Sequence, residues 1–224
     1  MTIYLDTSDI EQIKILSDLL PISGVTTNPT IVARSGEKLN TLLPKIRDAL
    51  GNNGLIFGQV ISNNADSMIE EAIKLNKIVD NFVVKIPVTL QGVKAIKSLK
   101  NEGVKTLGTV IYTPQQGIIA ALAGASFVAP YINRIDMLTG NGIETVNTIS
   151  QLLAHHTQSC QLLGASFKNV KQVIDCLSIN NANVTIPVEI AYQMMTNPCV
   201  DEAINQFQCD WTNTFNSHSP APTQ

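Results

Sequence analysis

Short apolar segments rich in β-branched residues alternate along this chain with stretches whose apolar residues recur at helical spacing, and this rhythm most constrains the fold. The strand-like segments are residues 2–6, 24–27, 55–61, 81–88, 106–111, 126–131, 161–166 and 183–187. Helical spacing follows each of them, at about 10–20, 38–50, 64–80, 90–102, 114–123, 141–156, 169–178 and 188–196. Ser8-Asp9-Ile10-Glu11 reads as a capping box opening the first helix. Pro21, Gly103 and Gly124 punctuate the pattern. Eight βα units, evenly spaced and without a linker, predict a parallel sheet with its helices outside. The expected fold is α/β, a single (β/α)8 TIM barrel, and 224 residues accommodate it. The runner-up is an open doubly wound sheet, but no G-x-G-x-x-G follows the first strand.

One helix is left over. Residues 199–215 carry Val200, Ala203, Ile204, Phe207, Trp211 and Phe215 at helical spacing, extra to the eight units. This stripe packs either on its own barrel or on a neighbouring subunit. The second is favoured because only 15% of residues are charged while 44% are hydrophobic. The expected organisation is one domain over 1–215, with a disordered tail at 216–224.

The net charge of −3 gives no reason to expect nucleic acid or an anionic membrane as partner. The first residues carry no basic segment and no apolar run of the kind a signal peptide needs, and no stretch approaches the ~18 apolar residues of a membrane span. Cys160, Cys176, Cys199 and Cys209 form no C-x-x-C pair, so reduced thiols in a cytoplasmic protein are expected. His155, His156 and His218 have no metal-ligand spacing, and no metal is expected.

Within the pattern one residue is out of place. The segment Asn81-Phe82-Val83-Val84-Lys85-Ile86-Pro87-Val88 has the composition of a buried strand, yet carries a lysine near its end. An unperturbed lysine, pKa ~10.4, costs about 4–5 kcal/mol to deprotonate at pH 7. Burial disfavours the charged form and leaves an amine that condenses with ketones to a Schiff base. On this strand alone, a lysine that snorkels its head to water is the favoured reading.

The other strand ends shift the balance. Asp6, Asn28, Gln59, Thr109, Tyr131 and Ser166 each follow apolar residues at a strand end. In a (β/α)8 barrel those ends converge on one site, so a polar ring surrounds Lys85 and catalysis by it becomes the better reading. Arg134 lies three residues past Tyr131, on the loop after the sixth strand. Lys168 lies two past Ser166. Both are candidate phosphate ligands, Arg134 the stronger through its bidentate fork, while Lys168 can equally point to water.

At these residues the chain resembles the transaldolase family, and most closely its short-chain fructose-6-phosphate aldolases. The matching pieces are YLDTSD (4–9), GVTTNP (24–29), VVKIPVT (83–89), LGTVIYTPQQ (107–116), APYINRID (129–136) and GASFKN (164–169). The resemblance extends to about residue 215. It implies a metal-independent aldolase without cofactor, Lys85 as Schiff-base residue, and Asp6 and Asn28 orienting donor hydroxyls. It also implies Thr109 with residue 59 holding a catalytic water, and Arg134 and Ser166 at the phosphate. By the same resemblance, transaldolases proper carry a glutamate at the position matching 59 and a phenylalanine at that matching 131, whereas Gln59 and Tyr131 match the aldolases. A ring-based homo-oligomer, a decamer, is implied as well.

The expected reaction is reversible cleavage of fructose 6-phosphate to dihydroxyacetone and glyceraldehyde 3-phosphate, with Tyr131 moving the proton. The alternative is a transaldolase of the pentose phosphate pathway, which passes the dihydroxyacetone unit to an aldose phosphate. A sugar-phosphate binding protein without chemistry would need no reactive lysine and is disfavoured.

Overall fold

The structure, a computed structural model, describes residues 1–51, 53–157 and 159–220. Among them, parallel strands β1 (Ile3–Asp6), β2 (Ile22–Thr26), β3 (Leu55–Gln59), β4 (Phe82–Pro87), β5 (Thr106–Ile111), β6 (Phe127–Pro130), β7 (Gln161–Gly164) and β8 (Ala182–Ile186) close into a barrel in sequence order. The expected (β/α)8 TIM-barrel architecture is therefore present. The helices are α1 (Ile10–Leu19), α2 (Pro29–Ser35), α3 (Leu39–Leu50), α4 (Ala65–Asn76), α5 (Leu90–Asn101), α6 (Pro114–Ala123), α7 (Ile132–Thr139), α8 (Gly142–His156), α9 (Val170–Leu177), α10 (Val188–Met195) and α11 (Pro198–Phe215).

The strands read as near-continuous apolar runs because both faces are buried: all of Phe82–Ile86 and Ala182–Ile186 is inaccessible or nearly so. Inward residues from different strands, Tyr4, Phe57, Val83, Leu107, Phe127 and Leu163, form one cluster. Edge-to-face rings fill its centre, with Phe57 at 5.3 Å from both Tyr4 and Phe127. Outward residues meet the helices, whose buried positions follow the 3.6-residue period: Leu42, Leu43 and Ile46 of α3, or Ala95, Ile96 and Leu99 of α5. Gly92 lets α5 start tight against β4, since a Cβ there would lie 1.9 Å from the Pro87 carbonyl oxygen.

Three expectations require correction. First, two helices went unrecognised. The stretch after Thr27, read as a turn, is α2: Asn28 caps it, Pro29 fits its first position, and none of its residues is buried, so no apolar period betrays it. The loop expected after the sixth strand is α7, which starts directly behind Tyr131 and puts Arg134 on a helix. Second, α4 stops at Asn76, four residues short of the expected end. The segment beyond it turns into β4 through Asn81 at φ 54°, with Arg47 donating to the Asp80 carbonyl.

Third, the cap of α1 is Asp9 and not Ser8. Asp9 Oδ1 accepts from Gln12 N at 3.1 Å, whereas Ser8 Oγ donates to the Ile31 carbonyl at 3.3 Å. Asp9→Ala is therefore expected to cost about 1 kcal/mol, lowering Tm by about 2–4 °C, and Ser8→Ala less. Calorimetry of both variants checks this, and a larger loss in Ser8→Ala contradicts the assignment.

The chain divides into two compact units, Met1–Ala191 and Tyr192–Gln224. The first holds the barrel. In the second, Asn197 caps α11 through its Oδ1, which accepts from Cys199 N at 3.0 Å, and Asn216 ends it in the left-handed conformation at φ 48°. The rings of Trp211 and Phe215 meet at 4.5 Å, tilted by 41°, and Val200, Ile204, Phe207 and Phe215 are exposed. Of the tail expected to be disordered, 216–220 are described, and 221–224 lie outside the described residues.

Candidate active site

The strand pleat builds the site. Side chains alternate, so residues two positions beyond an inward residue also point inward. Two past Tyr4, Phe57, Val83, Leu107 and Ala129 stand Asp6, Gln59, Lys85, Thr109 and Tyr131. An apolar layer thus supports a polar one at the C-terminal ends of the strands. Gln59 and Lys85 are paired in register across β3 and β4.

Lys85 is 5% exposed, and its Nζ donates to the Thr27 carbonyl at 2.7 Å. Desolvation pushes the amine below the ordinary lysine range, and the facing Asp6 carboxylate only partly restores it. Asp6 mirrors this. Burial pushes its carboxyl up, while Lys85 and a hydrogen bond from Thr26 pull it back. Thr26 Oγ1 lies 2.7 Å from Asp6 Oδ1 and 2.6 Å from Thr185 Oγ1. Because Thr26 gives its one proton to the carboxylate, the Thr185 hydroxyl is the donor to Thr26. Two fully buried threonines thereby fix the Asp6 rotamer. Sequence reading did not single out either, although Thr26 sits in the quoted GVTTNP.

Thr109 Oγ1 and Tyr131 OH lie 3.0 Å apart. Burial pushes the Tyr131 phenol up, opposed by the Thr109 hydrogen bond and by the charge of Arg134. The register of β5 against β6 shifts between Gly108 and Ile111, and within the shift Val110 takes φ 61°. A β-branched residue with positive φ is strained, and such bulges re-aim the chain beside active sites. Gln59 Oε1 is buried and accepts no hydrogen bond among the described residues.

The remaining predicted residues stand at the rim. Asn28 Oδ1 is taken up in capping α2, accepting from Ile31 N at 3.0 Å, which leaves its amide NH2. Ser166 is not in the inward layer, where Ala165 takes its place; it sits just beyond at φ 65°, its carbonyl accepting from Asn133 N of α7 at 3.2 Å. Ser166 and the first turn of α7 are thus adjoining. Arg134 holds its guanidinium 4.8 Å over the Tyr131 ring and donates from Nη1 to Tyr112 OH at 3.3 Å. Lys168 is exposed, and its backbone N–H donates to Gln172 Oε1 at 2.9 Å. Gln172 also donates to Asp136 Oδ2 at 2.8 Å, bracing α7 against α9. Neither Tyr112 nor Gln172 was legible as a site residue, because their partners are distant in sequence.

Among the described residues no cluster of three or more His, Cys, Asp or Glu is placed to hold a metal, and no helix is long and apolar enough to cross a membrane. The Cys160 and Cys176 thiols are buried and pushed up to about 12, so they are poor nucleophiles. Two surface grooves, of about 380 and 480 Å³, lie at the N-terminal ends of β4 and of β7–β8; Cys160 lines the second, and neither includes Lys85 or any other predicted site residue.

A family model described as Transaldolase/Fructose-6-phosphate aldolase matches residues 3–218. Among solved structures, the inosine 5' monophosphate dehydrogenase of Legionella pneumophila superposes with a TM-score of 0.57 at 13% identity. That match covers 85% of this chain and 59% of the other, so the chain spans less than two thirds of that protein. At such identity the likeness concerns the barrel fold alone.

Proposed function

The chain belongs to the transaldolase/fructose-6-phosphate aldolase family, and from that premise we propose that it is a Schiff-base aldolase cleaving and forming fructose 6-phosphate. The observation that carries this reading is the buried Lys85 amine, held below the ordinary lysine range and aimed at the strand ends. Neutral Lys85 attacks the C2 ketone of the ketose, and loss of water gives an iminium, with Asp6 and Asn28 orienting the donor hydroxyls. Removal of the C4 hydroxyl proton breaks the C3–C4 bond, and its electron pair moves into the iminium to give an enamine. Glyceraldehyde 3-phosphate leaves. The enamine takes a proton at carbon, and water hydrolyses the resulting iminium to dihydroxyacetone and free Lys85.

Tyr131 is the proton donor in this reading. Its partner Thr109 and the unpartnered Gln59 Oε1 are suited to a bridging water. A phenol fits an acid that hands over a proton better than a resting base. No step requires a cofactor. One observation favours the transaldolase alternative: burial weakens Tyr131 as an acid, which prolongs the life of the enamine. Assaying fructose 6-phosphate with and without erythrose 4-phosphate separates the two. Dihydroxyacetone release without acceptor, at a rate at least equal to transfer, is expected; faster transfer makes the chain a transaldolase.

Arg134 and Ser166 are proposed as the phosphate contacts, with Lys168 in reserve at the rim. Arg134→Ala is expected to lower kcat/KM for glyceraldehyde 3-phosphate roughly tenfold or more, since a charge-assisted hydrogen bond contributes about 1.5–3 kcal/mol. Unphosphorylated glyceraldehyde should be affected much less, and equal losses remove Arg134 from the phosphate site.

We further propose a homo-oligomer, a decamer by the family resemblance, supported by the apolar residues that α11 leaves exposed. A monomeric mass in light scattering at micromolar concentration contradicts it. The free cysteines are suited to a reducing, cytoplasmic setting.

A further inference from the structure

Tyr112 is the one ring in the site to which the reaction above gives no task. Its backbone is fixed, because Gln116 Oε1 accepts from the amides of Tyr112 at 2.9 Å and Thr113 at 3.2 Å. Its ring meets that of Tyr131 edge-on at 6.0 Å, and its hydroxyl receives the Arg134 guanidinium. Tyr112 is therefore a fixed post, and a cation tethered to it lies over the face of the Tyr131 phenol. We propose that Tyr112 and Arg134 make the acidity of Tyr131 depend on whether a phosphate occupies the acceptor site. The proposal rests on the reading of Arg134 as a phosphate contact and of Tyr131 as the proton donor.

The physics is electrostatic. A cation over the ring stabilises the phenolate, so with the phosphate site empty Tyr131 is the stronger acid. A bound phosphate offsets the guanidinium charge, or draws it off the ring, and Tyr131 becomes the weaker acid. The other charged or titratable groups facing the phenol are Asp6 from β1 and Tyr112 itself; both oppose its ionisation, and Thr109 hydrogen-bonds to it. None of these three is a candidate phosphate contact, so occupancy acts through Arg134.

The consequence is timing. While a phosphorylated aldehyde is present, leaving or arriving, the enamine is protected and carbon–carbon bond formation competes well. Once the aldehyde phosphate departs, the Tyr131 O–H bond breaks. Its proton joins the enamine carbon, the enamine electrons form the C–H bond and restore the iminium, and solvent reprotonates the phenolate. Tyr112 acts here as a positioning residue.

The test titrates Tyr131 in the intact enzyme labelled with ¹³Cζ-tyrosine, its signal identified by loss in Tyr131→Phe, in inorganic phosphate and in chloride of equal ionic strength. Phosphate is expected to raise the midpoint by about half a unit or more, a screened charge at this distance. Arg134→Gln should abolish the shift, and Tyr112→Phe, which keeps the ring but frees the guanidinium, should shrink it. In D2O, phosphate should slow deuterium entry into dihydroxyacetone about twofold in the wild type and not in Arg134→Gln. Calorimetry of phosphate binding separates the failures. If phosphate binds through Arg134 but the midpoint and exchange rate stay fixed, the coupling is overturned and the phosphate site stands. If Arg134→Gln binds phosphate as well as wild type, the phosphate reading falls and the coupling with it. A shift unchanged in Tyr112→Phe removes Tyr112 from the device.

Discussion

Borohydride added with fructose 6-phosphate is expected to fix a three- or six-carbon adduct on Lys85 and abolish activity. Reduction captures only an amine that has already condensed, and condensation requires the neutral form. Desolvation in the barrel favours that form: Lys85 is 5% exposed, with its Nζ on the Thr27 carbonyl and Asp6 only partly offsetting the cost of its charge. The sign for pH follows. The reactive species is deprotonated, so trapping increases as pH rises through the lysine pKa, with a midpoint below the ordinary ~10.4, and fades in acid. Lys85→Ala removes the nucleophile and should cost on the order of 10⁴–10⁶-fold in kcat, the scale of other enzymes that lose their covalent residue. Peptide mass analysis decides the first point; an adduct on Lys168, or full activity in Lys85→Ala, refutes Lys85 as nucleophile.

Tyr131→Phe is expected to lower cleavage of fructose 6-phosphate to free dihydroxyacetone by about 10²–10⁴-fold, the usual contribution of a general acid–base group. The substitution keeps the ring, and with it the packing against the barrel cluster and the seat of Arg134, and deletes the hydroxyl that meets Thr109. Only steps needing that proton should suffer. Transfer to erythrose 4-phosphate bypasses enamine protonation and should fall much less. Measuring both reactions in both proteins checks this. Equal loss of the two in the mutant removes Tyr131 as the group that makes the enzyme a lyase.

Much of this was legible because it is local. The bounds of β5 and α6 follow from β-branched composition and from Thr113-Pro114 and Gly124, signals within a few residues of the elements they delimit. A lysine in an otherwise apolar strand announces Lys85, because the pleat puts it on one face with Val83 and a parallel barrel strand is buried on both faces. The polar strand ends foretold the layer of Asp6, Gln59, Thr109 and Tyr131, since parallel strands in a barrel finish at one end. The helices α2 and α7 stayed hidden because one buries nothing and the other begins without a break after a strand. What the tertiary structure alone decided are contacts between residues far apart in the chain. Thr185 supports Thr26 across 159 positions, Thr27 receives Lys85 across 58, and Tyr112 anchors Arg134 across 22. A side chain's acidity depends on what surrounds it in space, and local sequence carries no record of the strand that will lie opposite. That Lys85 is an amine near the end of a buried strand is written in residues 81–88; which oxygen holds it, and which carboxylate opposes its loss of charge, required the closed barrel.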